Sequence, residues 1–357
     1  MTINTPKIIM ISPDLDVQGG ISSVVNEYLR SDLDRKVSLT FIPSHRDGTK
    51  LLKAGVFVRT FFCFLFVLLK IESPIIHLHV SQDGSFVRKF ILFIISKLFR
   101  RKTIVHLHGS DFEEFMHKTK VHQALTKFMF LRADIILVLS DRWKHIIKSF
   151  AQCENVITLY NPIKACEKNI RNHYPIHVLF LGRLGKRKGT YDLFECIKVH
   201  KEFFLEKNIY FILAGDGDVD IFKKFVAEEG LDELVTITGW CAKEQKEELL
   251  IKSNILILPS YNEQMPMSIL EAMAHGYPII STDVAGIPEM VMHGENGFLF
   301  KPGDIDGMYQ ALKQLCEDRA LRERMGAKSL QIVADKFDSD LIVSKLVGIY
   351  QSISQEE

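Results

Sequence analysis

Short unbroken runs of aliphatic and β-branched residues alternate along this chain with longer amphipathic stretches. A run apolar on both faces reads as a strand buried from both sides, and its alternation with helical segments predicts a parallel sheet with crossover helices. Six strands are predicted in the first half, at 7–12, 37–42, 75–80, 103–107, 135–139 and 156–160. Six more are predicted at 177–182, 210–215, 234–238, 255–259, 278–281 and 297–300. Between the two sets, 161–175 is polar with Pro162 and Pro175 near its ends, and reads as a linker. Residues 338–354 are strongly helical in pattern and no strand follows them. The fold class predicted is therefore α/β, with two Rossmann-like doubly wound parallel-sheet domains and an interdomain cleft as the natural ligand site. The expected bounds are 1–165, 175–337, and a C-terminal helix over 338–357.

Charge and cysteine usage narrow the picture. The net charge of +1 conceals an asymmetry: residues 1–170 carry 24 Lys and Arg against 15 Asp and Glu, the remainder 21 against 29. A basic first half attracts an anionic partner such as a phospholipid surface or a diphosphate, unless the charge is simply spread unevenly. The six cysteines show no CxxC spacing, so neither a zinc site nor a disulfide framework is predicted, and a reduced, cytoplasmic setting is the default. The most apolar run, Thr60 to Leu69, has ten residues between Arg59 and Lys70. That is about half of a ~20-residue span, so no membrane crossing is expected.

Candidate chemistry gathers at strand ends. After strand 255–259 come Ser260 and Glu263, then Pro266, which favours a helix start. The free amides near Met267 and Ser268 make an anion site at that helix's positive end. On a helical projection Ser268, Glu271 and His275 share one narrow polar arc, placing Glu271 as a lone carboxylate on a mainly apolar helix. A carboxylate there suits paired hydroxyls; a solvated helix face is the plain alternative. Strand 177–182 opens into Arg183-Leu-Gly-Lys-Arg-Lys188-Gly189, four cations in six residues. Such cations beside a helix N-terminus would stabilise a departing diphosphate. It is not a Walker loop, since Arg187 follows Gly185-Lys186 where Ser or Thr would stand. In the other half, Gly19-Gly20 at a strand-to-helix turn permits close approach of a phosphate, and His108, after strand 103–107, offers a hydrogen bond. Either is equally explained as a tight turn or a structural histidine.

Taken together, Gly19-Gly20, His108-Gly109, Gly182-Arg183 through Lys188-Gly189, Ala214 through Gly217, Ser260 through Gly276, Gly286 through Glu289 and Asn296-Gly297 resemble the retaining glycosyltransferases of family 4, which have the GT-B fold. The resemblance covers the whole chain in order, and its most specific part is Glu263-x7-Glu271 followed by Ala272-Met273-Ala274-x-Gly276-x-Pro278. It implies that Arg183 and Lys188 bind the donor diphosphate while Gly19 and Gly20 approach it from the first domain. It implies that Glu271 takes the ribose hydroxyls, that Glu263 with the amides of Met267 and Ser268 holds the transferred sugar, and that His108 lies over that sugar. Catalytic roles are accordingly expected for Arg183, Lys188, Glu263 and His108. The C-terminal helix would cross back to the first domain. Many relatives carry Gly-Phe where this chain has Pro266-Met267, which leaves the shape of the sugar pocket open. The implied chemistry is hexosyl transfer to a hydroxyl with retention, the leaving phosphate acting as base, with no cofactor and no metal required. Asp-x-Asp pairs are too frequent here to mark a metal site.

For the acceptor side, 86–102 projects Ile91, Ile94, Ile95 and Leu98 on one face, expected to pack on the sheet. The opposite arc gathers Lys89, Phe90, Phe93, Lys97, Arg100 and Arg101, a basic, aromatic face suited to anionic lipid. The expected partners are a nucleotide-sugar donor, a lipid-linked or saccharide acceptor and an anionic membrane surface, with no nucleic acid. The expected place is peripheral on the cytoplasmic face of the plasma membrane, in surface polysaccharide or O-antigen synthesis. The alternatives are an epimerase or phosphorylase on the same fold, a non-catalytic nucleotide-binding scaffold, and a dinucleotide oxidoreductase, which the missing G-x-G-x-x-G disfavours.

Overall fold

The computed structural model describes residues 5–166 and 174–355, so part of the expected linker, 167–173, lies outside the described residues. The chain divides into two compact units, Met1–Pro162 with Ser339–Glu357, and Ile163–Asp338.

The first unit begins with strand β1 (Lys7–Ser12), helix α1 (Gly20–Arg30), the turn α2 (Leu33–Lys36) and β2 (Ser38–Pro43). It continues through α3 (Lys50–Lys70), β3 (Ile75–Val80), α4 (Gly84–Leu98) and β4 (Thr103–Leu107). Helices α5 (Phe112–His117) and α6 (Lys120–Arg132), β5 (Ile135–Val138), α7 (Asp141–Ala151) and β6 (Val156–Thr158) complete its first stretch. The second unit holds β7 (Ile176–Leu181), α8 (Thr190–Val199), α9 (Lys201–Glu206), β8 (Ile209–Ala214), α10 (Val219–Glu228) and β9 (Val235–Gly239). It then runs through α11 (Lys243–Lys252), β10 (Ile255–Leu258), α12 (Met267–Ala274), β11 (Ile279–Thr282), β12 (Gly297–Phe300), α13 (Ile305–Glu317) and α14 (Arg319–Ile332). The last helix, α15 (Ser339–Ser354), belongs to the first unit.

Both sheets are parallel throughout, with strand orders β2-β1-β3-β4-β5-β6 and β12-β11-β10-β7-β8-β9. Every predicted strand forms. The second order is the doubly wound Rossmann order, whose direction of winding reverses between β7 and β10; the first reverses between β1 and β3. Open α/β sheets bind ligands beyond the carboxyl ends of strands at such reversals.

Strand alternation gives the first sheet two different faces. Ile76, Leu78 and Val80 of β3 and Val105 and Leu107 of β4 join an apolar core with Phe64, Leu68, Phe86, Leu92 and Phe93. The opposite face carries His77, His79 and His106, all fully buried. Tyr350 of α15 meets His77 there, Oη to Nδ1 at 2.6 Å.

Two expectations about helix faces are corrected. In α4 the buried stripe is Phe86, Lys89, Leu92, Phe93 and Ser96, whereas Ile91 and Leu98 are exposed. Lys89 and Phe93, assigned outward from the sequence, are fully buried, Phe90 stacks on Phe86, and Lys97 is ion-paired with Asp134. Of the expected lipid face only Arg100 is openly exposed, with Arg101 half-buried. A helix apolar all round has no single stripe to read, and the sheet took the bulkier phenylalanines. Helix α3 is 21 residues long, twice the apolar run read from the sequence, and is long and apolar enough to cross a membrane by length and composition. The length argument against a spanning segment therefore does not hold. Thr60, Phe64 and Leu68 tie this helix to the unit, while Leu51, Val58, Phe62, Phe66 and Leu69 are exposed.

Candidate functional site

In the second unit the reversal between β7 and β10 is built by a loop that only glycine permits. Gly189 has φ +68°, and a Cβ there would lie 1.9 Å from the carbonyl oxygen of Pro259. The loop after β7 is thereby pressed onto the end of β10. A single 3₁₀ turn, Lys186–Lys188, then aims Lys188 at Glu263. Lys188 Nζ and Glu263 Oε1 form an ion pair in which both side chains are nearly buried. Ser260 Oγ donates to the same carboxylate oxygen at 3.1 Å, and Arg187 Nη1 lies 3.7 Å from it. Arg187 also donates to the carbonyl of Asn262 at 3.1 Å. Arg183 stands apart from this group, donating to Asp216 Oδ2 at 2.9 Å with most of its side chain exposed. An exposed pair of this kind holds its partner by at most about 1 kcal/mol, so Arg183 is free to exchange Asp216 for another anion.

Pro266 caps α12 with extended ψ, and the amides of Met267 and Ser268 fall in the first turn, where no i−4 carbonyl exists. The positive end of the helix thus opens beside Glu263 in sequence. The polar arc of this helix faces protein rather than solvent. Glu271 Oε1 accepts from Lys246 Nζ of α11 at 2.5 Å. His275 bonds the Glu271 carbonyl at 2.8 Å and Glu247 at 3.1 Å. Lys246 was missed from the sequence, because the alternating charges of 243–248 look like any solvated helix surface.

The remaining predicted residues lie in the first unit. Gly19 is the N-cap of α1, and a Cβ on Gly19 or Gly20 would meet nothing within 4 Å, so the turn is unobstructed. His108 follows β4, its amide bonded to the Val80 carbonyl at 2.9 Å. Its ring completes a group of four imidazoles that sequence reading left unconnected. His79 Nδ1 and His108 Nε2 are 2.9 Å apart, and His77 Nε2 and His106 Nδ1 3.2 Å. Burial, reinforced by neighbouring basic groups, lowers all four, with His77 and His108 pushed down to about 3. His108 is therefore neutral at pH 7, a hydrogen-bonding group rather than a proton donor of imidazolium type. Ligand atoms of His77, His79 and His106 lie within 4.8 Å of one another, as do those of Cys166, Glu247 and His275 in the second unit, so either set has the spacing to hold a metal ion.

Comparison with known proteins gives this geometry a context. Residues 164–331 match the family model described as glycosyl transferases group 1. The α-D-kanosaminyltransferase of Streptomyces kanamyceticus is 28% identical over 186 residues, covering 49% of this chain and 45% of that protein. The chain spans about half the length of the curated relatives it matches. Sucrose-phosphate synthase from Thermosynechococcus elongatus shares the fold with a TM-score of 0.82 at 17% identity, covering 99% of this chain and all of that one. Anabaena HepE, solved in complex with UDP-glucose, gives a TM-score of 0.75 at 18% identity over 97% of this chain and 99% of its own. The fold is thus of the GT-B kind, and residues 164–331 within it match the glycosyl transferases group 1 model.

Proposed function

We propose that the protein is a retaining hexosyltransferase, moving a sugar from a nucleotide-sugar donor to a hydroxyl of a lipid-linked or saccharide acceptor. The observation that carries the reading is the Lys188–Glu263 pair, seated at the strand-order reversal of the group 1 domain and followed directly by the open N-terminus of α12. Arg183 and Lys188 bind the diphosphate beside the positive end of α12, Glu271 takes the ribose hydroxyls, and Glu263 with the amides of Met267 and Ser268 holds the transferred sugar. Catalysis then rests on positioning and on stabilising charge as the diphosphate departs, and these groups supply that positive charge without a metal. The departing phosphate takes the acceptor proton, as the family resemblance implies. Gly19, Gly20 and His108 of the first unit are further ligand-binding residues in this proposal.

The setting proposed is bacterial surface polysaccharide synthesis at the cytoplasmic face of the membrane. Its support is the exposed apolar residues of α3, with Arg59 and Lys70 on the same helix, in a basic half of the chain.

Thermal stabilisation across UDP-, GDP- and ADP-sugars, wild type beside Glu271→Ala, tests the donor assignment. One nucleotide series should stabilise the wild type and much less the variant. No response of the wild type to any sugar nucleotide sinks the assignment, and an equal response of the variant removes Glu271 from it.

A further inference from the structure

Lys89 is fully buried in the first unit, and its Nζ has no hydrogen-bond partner among the described residues. An ammonium left that way costs several kcal/mol, so such a group either stays neutral or has a ligand to meet. Its surroundings are themselves basic. Lys89 acts electrostatically on His45, His79 and His108, and Arg88 acts on Lys89. Helical side chains lean toward the N-terminus of their helix, and Arg88 does so here, its Nη1 lying 3.2 Å from where a Cβ on Gly84 would sit. Further buried nitrogens without partners among the described residues include Arg88 Nε, His79 Nε2 and His45 Nδ1. They come from the start of α4, from β3 and from the segment after β2, at the carboxyl end of a sheet whose order reverses between β1 and β3. If His108 Nε2–H donates to His79 Nδ1, then His79 Nε2–H is left as a donor, and the tautomer suits an acceptor ligand.

We infer that Arg88 and Lys89, with His45, His79 and His108, form a binding site for a phosphate or diphosphate group in the first unit. Phosphoryl oxygens supply the acceptors that these nitrogens lack, and the dianionic charge matches one ammonium and one guanidinium. A metal ion on the same imidazoles fits less well. The Lys89 ammonium would oppose it, and both ring nitrogens of His77 are already engaged, with Tyr350 and His106. The site shares no residue with the Lys188–Glu263 group, and of the residues proposed for transfer it includes only His108; it is argued without the transfer reading.

Inorganic pyrophosphate would be titrated calorimetrically into Arg183→Ala/Lys188→Ala protein, which keeps the first unit intact while removing the proposed donor grip. One pyrophosphate should bind. Lys89→Met, which removes an unpaired buried charge, should weaken it by about tenfold or more, the worth of one charge-assisted hydrogen bond. Arg88→Gln, at a half-buried position, should weaken it in the same direction. In a second arm the same variants would be sedimented with phosphatidylcholine vesicles containing phosphatidic acid. Lys89-dependent binding confined to vesicles assigns the phosphate to a lipid headgroup, and binding of free pyrophosphate assigns it to a soluble or exposed group. No binding in either arm overturns the inference, as does binding that Lys89→Met and Arg88→Gln leave unchanged. Failure of the donor assignment would appear separately, as unaltered sugar-nucleotide stabilisation in Arg183→Ala/Lys188→Ala.

Discussion

Lys188 and Glu263 neutralise one another where the second sheet reverses its winding, with 13% and 7% of their side chains exposed. Removing one partner strands the other, and breaking a buried pair costs about 3–5 kcal/mol. Lys188→Met should therefore destabilise the protein by roughly that amount in urea, less what Arg187 recovers by moving closer to Glu263. The double variant Lys188→Met/Glu263→Gln should regain more than half of the loss. Equal stability of the single and double variants would show that the two charges are not coupled.

Lys246 positions Glu271 without standing on the helix that carries it. Lys246→Met should leave the fold stable and raise KM for the nucleotide sugar about fivefold with kcat within about twofold, the pattern of lost uniform binding. An effect on kcat with KM unchanged would place Lys246 elsewhere in the mechanism.

The imidazole group makes the first unit acid-sensitive. His77 and His108 sit near 3 when folded and return to about 6.5 when unfolded. Between these values the unfolded chain binds protons that the folded one refuses, so the histidines' contribution is level above pH 6.5 and falls below it. Each histidine contributes about 1.4 kcal/mol per pH unit within that window. Urea midpoints at pH 7.5, 6.5 and 5.5 measure the fall, and a flat series would contradict the burial described.

Lys89 should act in the same sense, but in a window higher on the scale. Burial and the charge of Arg88 push it down to about 7, against an ordinary value of 10.5. Between those values the unfolded lysine holds a proton that the folded one has released, so the wild type gains stability as pH rises from 7 toward 10.5. Lys89→Met, spared the cost, should melt higher than wild type at pH 7.5, and the gap should narrow at pH 9.5. A lower melting temperature for the variant at pH 7.5 would mean that the ammonium is compensated within the fold.

The exchange of roles between α3 and α4 separates core from surface. Phe93→Ala should cost about 3–5 kcal/mol as a cavity in the core. Phe62→Ser/Phe66→Ser, on the exposed face, should change stability by only about 0.5 kcal/mol per site yet abolish recovery with anionic vesicles at low salt. Unchanged sedimentation of that double variant would remove α3 from any membrane role.

Most strands were legible because they are short buried runs of aliphatic residues between helical segments; their ends fall within a residue or two of expectation. Helix orientation was not. In α4 two apolar stripes compete, and the choice depends on the residues of β3 and β4 beneath it. The candidate site was half visible. Loop glycines, the cation run and the glutamates stand at strand ends, but their pairing rests on contacts 75 residues apart, as between Lys188 and Glu263. Likewise His77-x-His79 and His106-x-His108 are each a common alternation. Only the register that sets His79 beside His106 makes them one group.

Helix α15 has a consequence for the order in which the molecule can be completed. Its Tyr350 is the partner of His77, yet all of Ile163–Asp338 lies between it and the strands it covers. During synthesis the first sheet emerges with His77 of β3 still without Tyr350, and the second unit is entirely translated before α15 arrives. The first-made half of the chain is thus the last to close, and until then His77 lacks the cover that keeps it from taking up a proton at its ordinary pH.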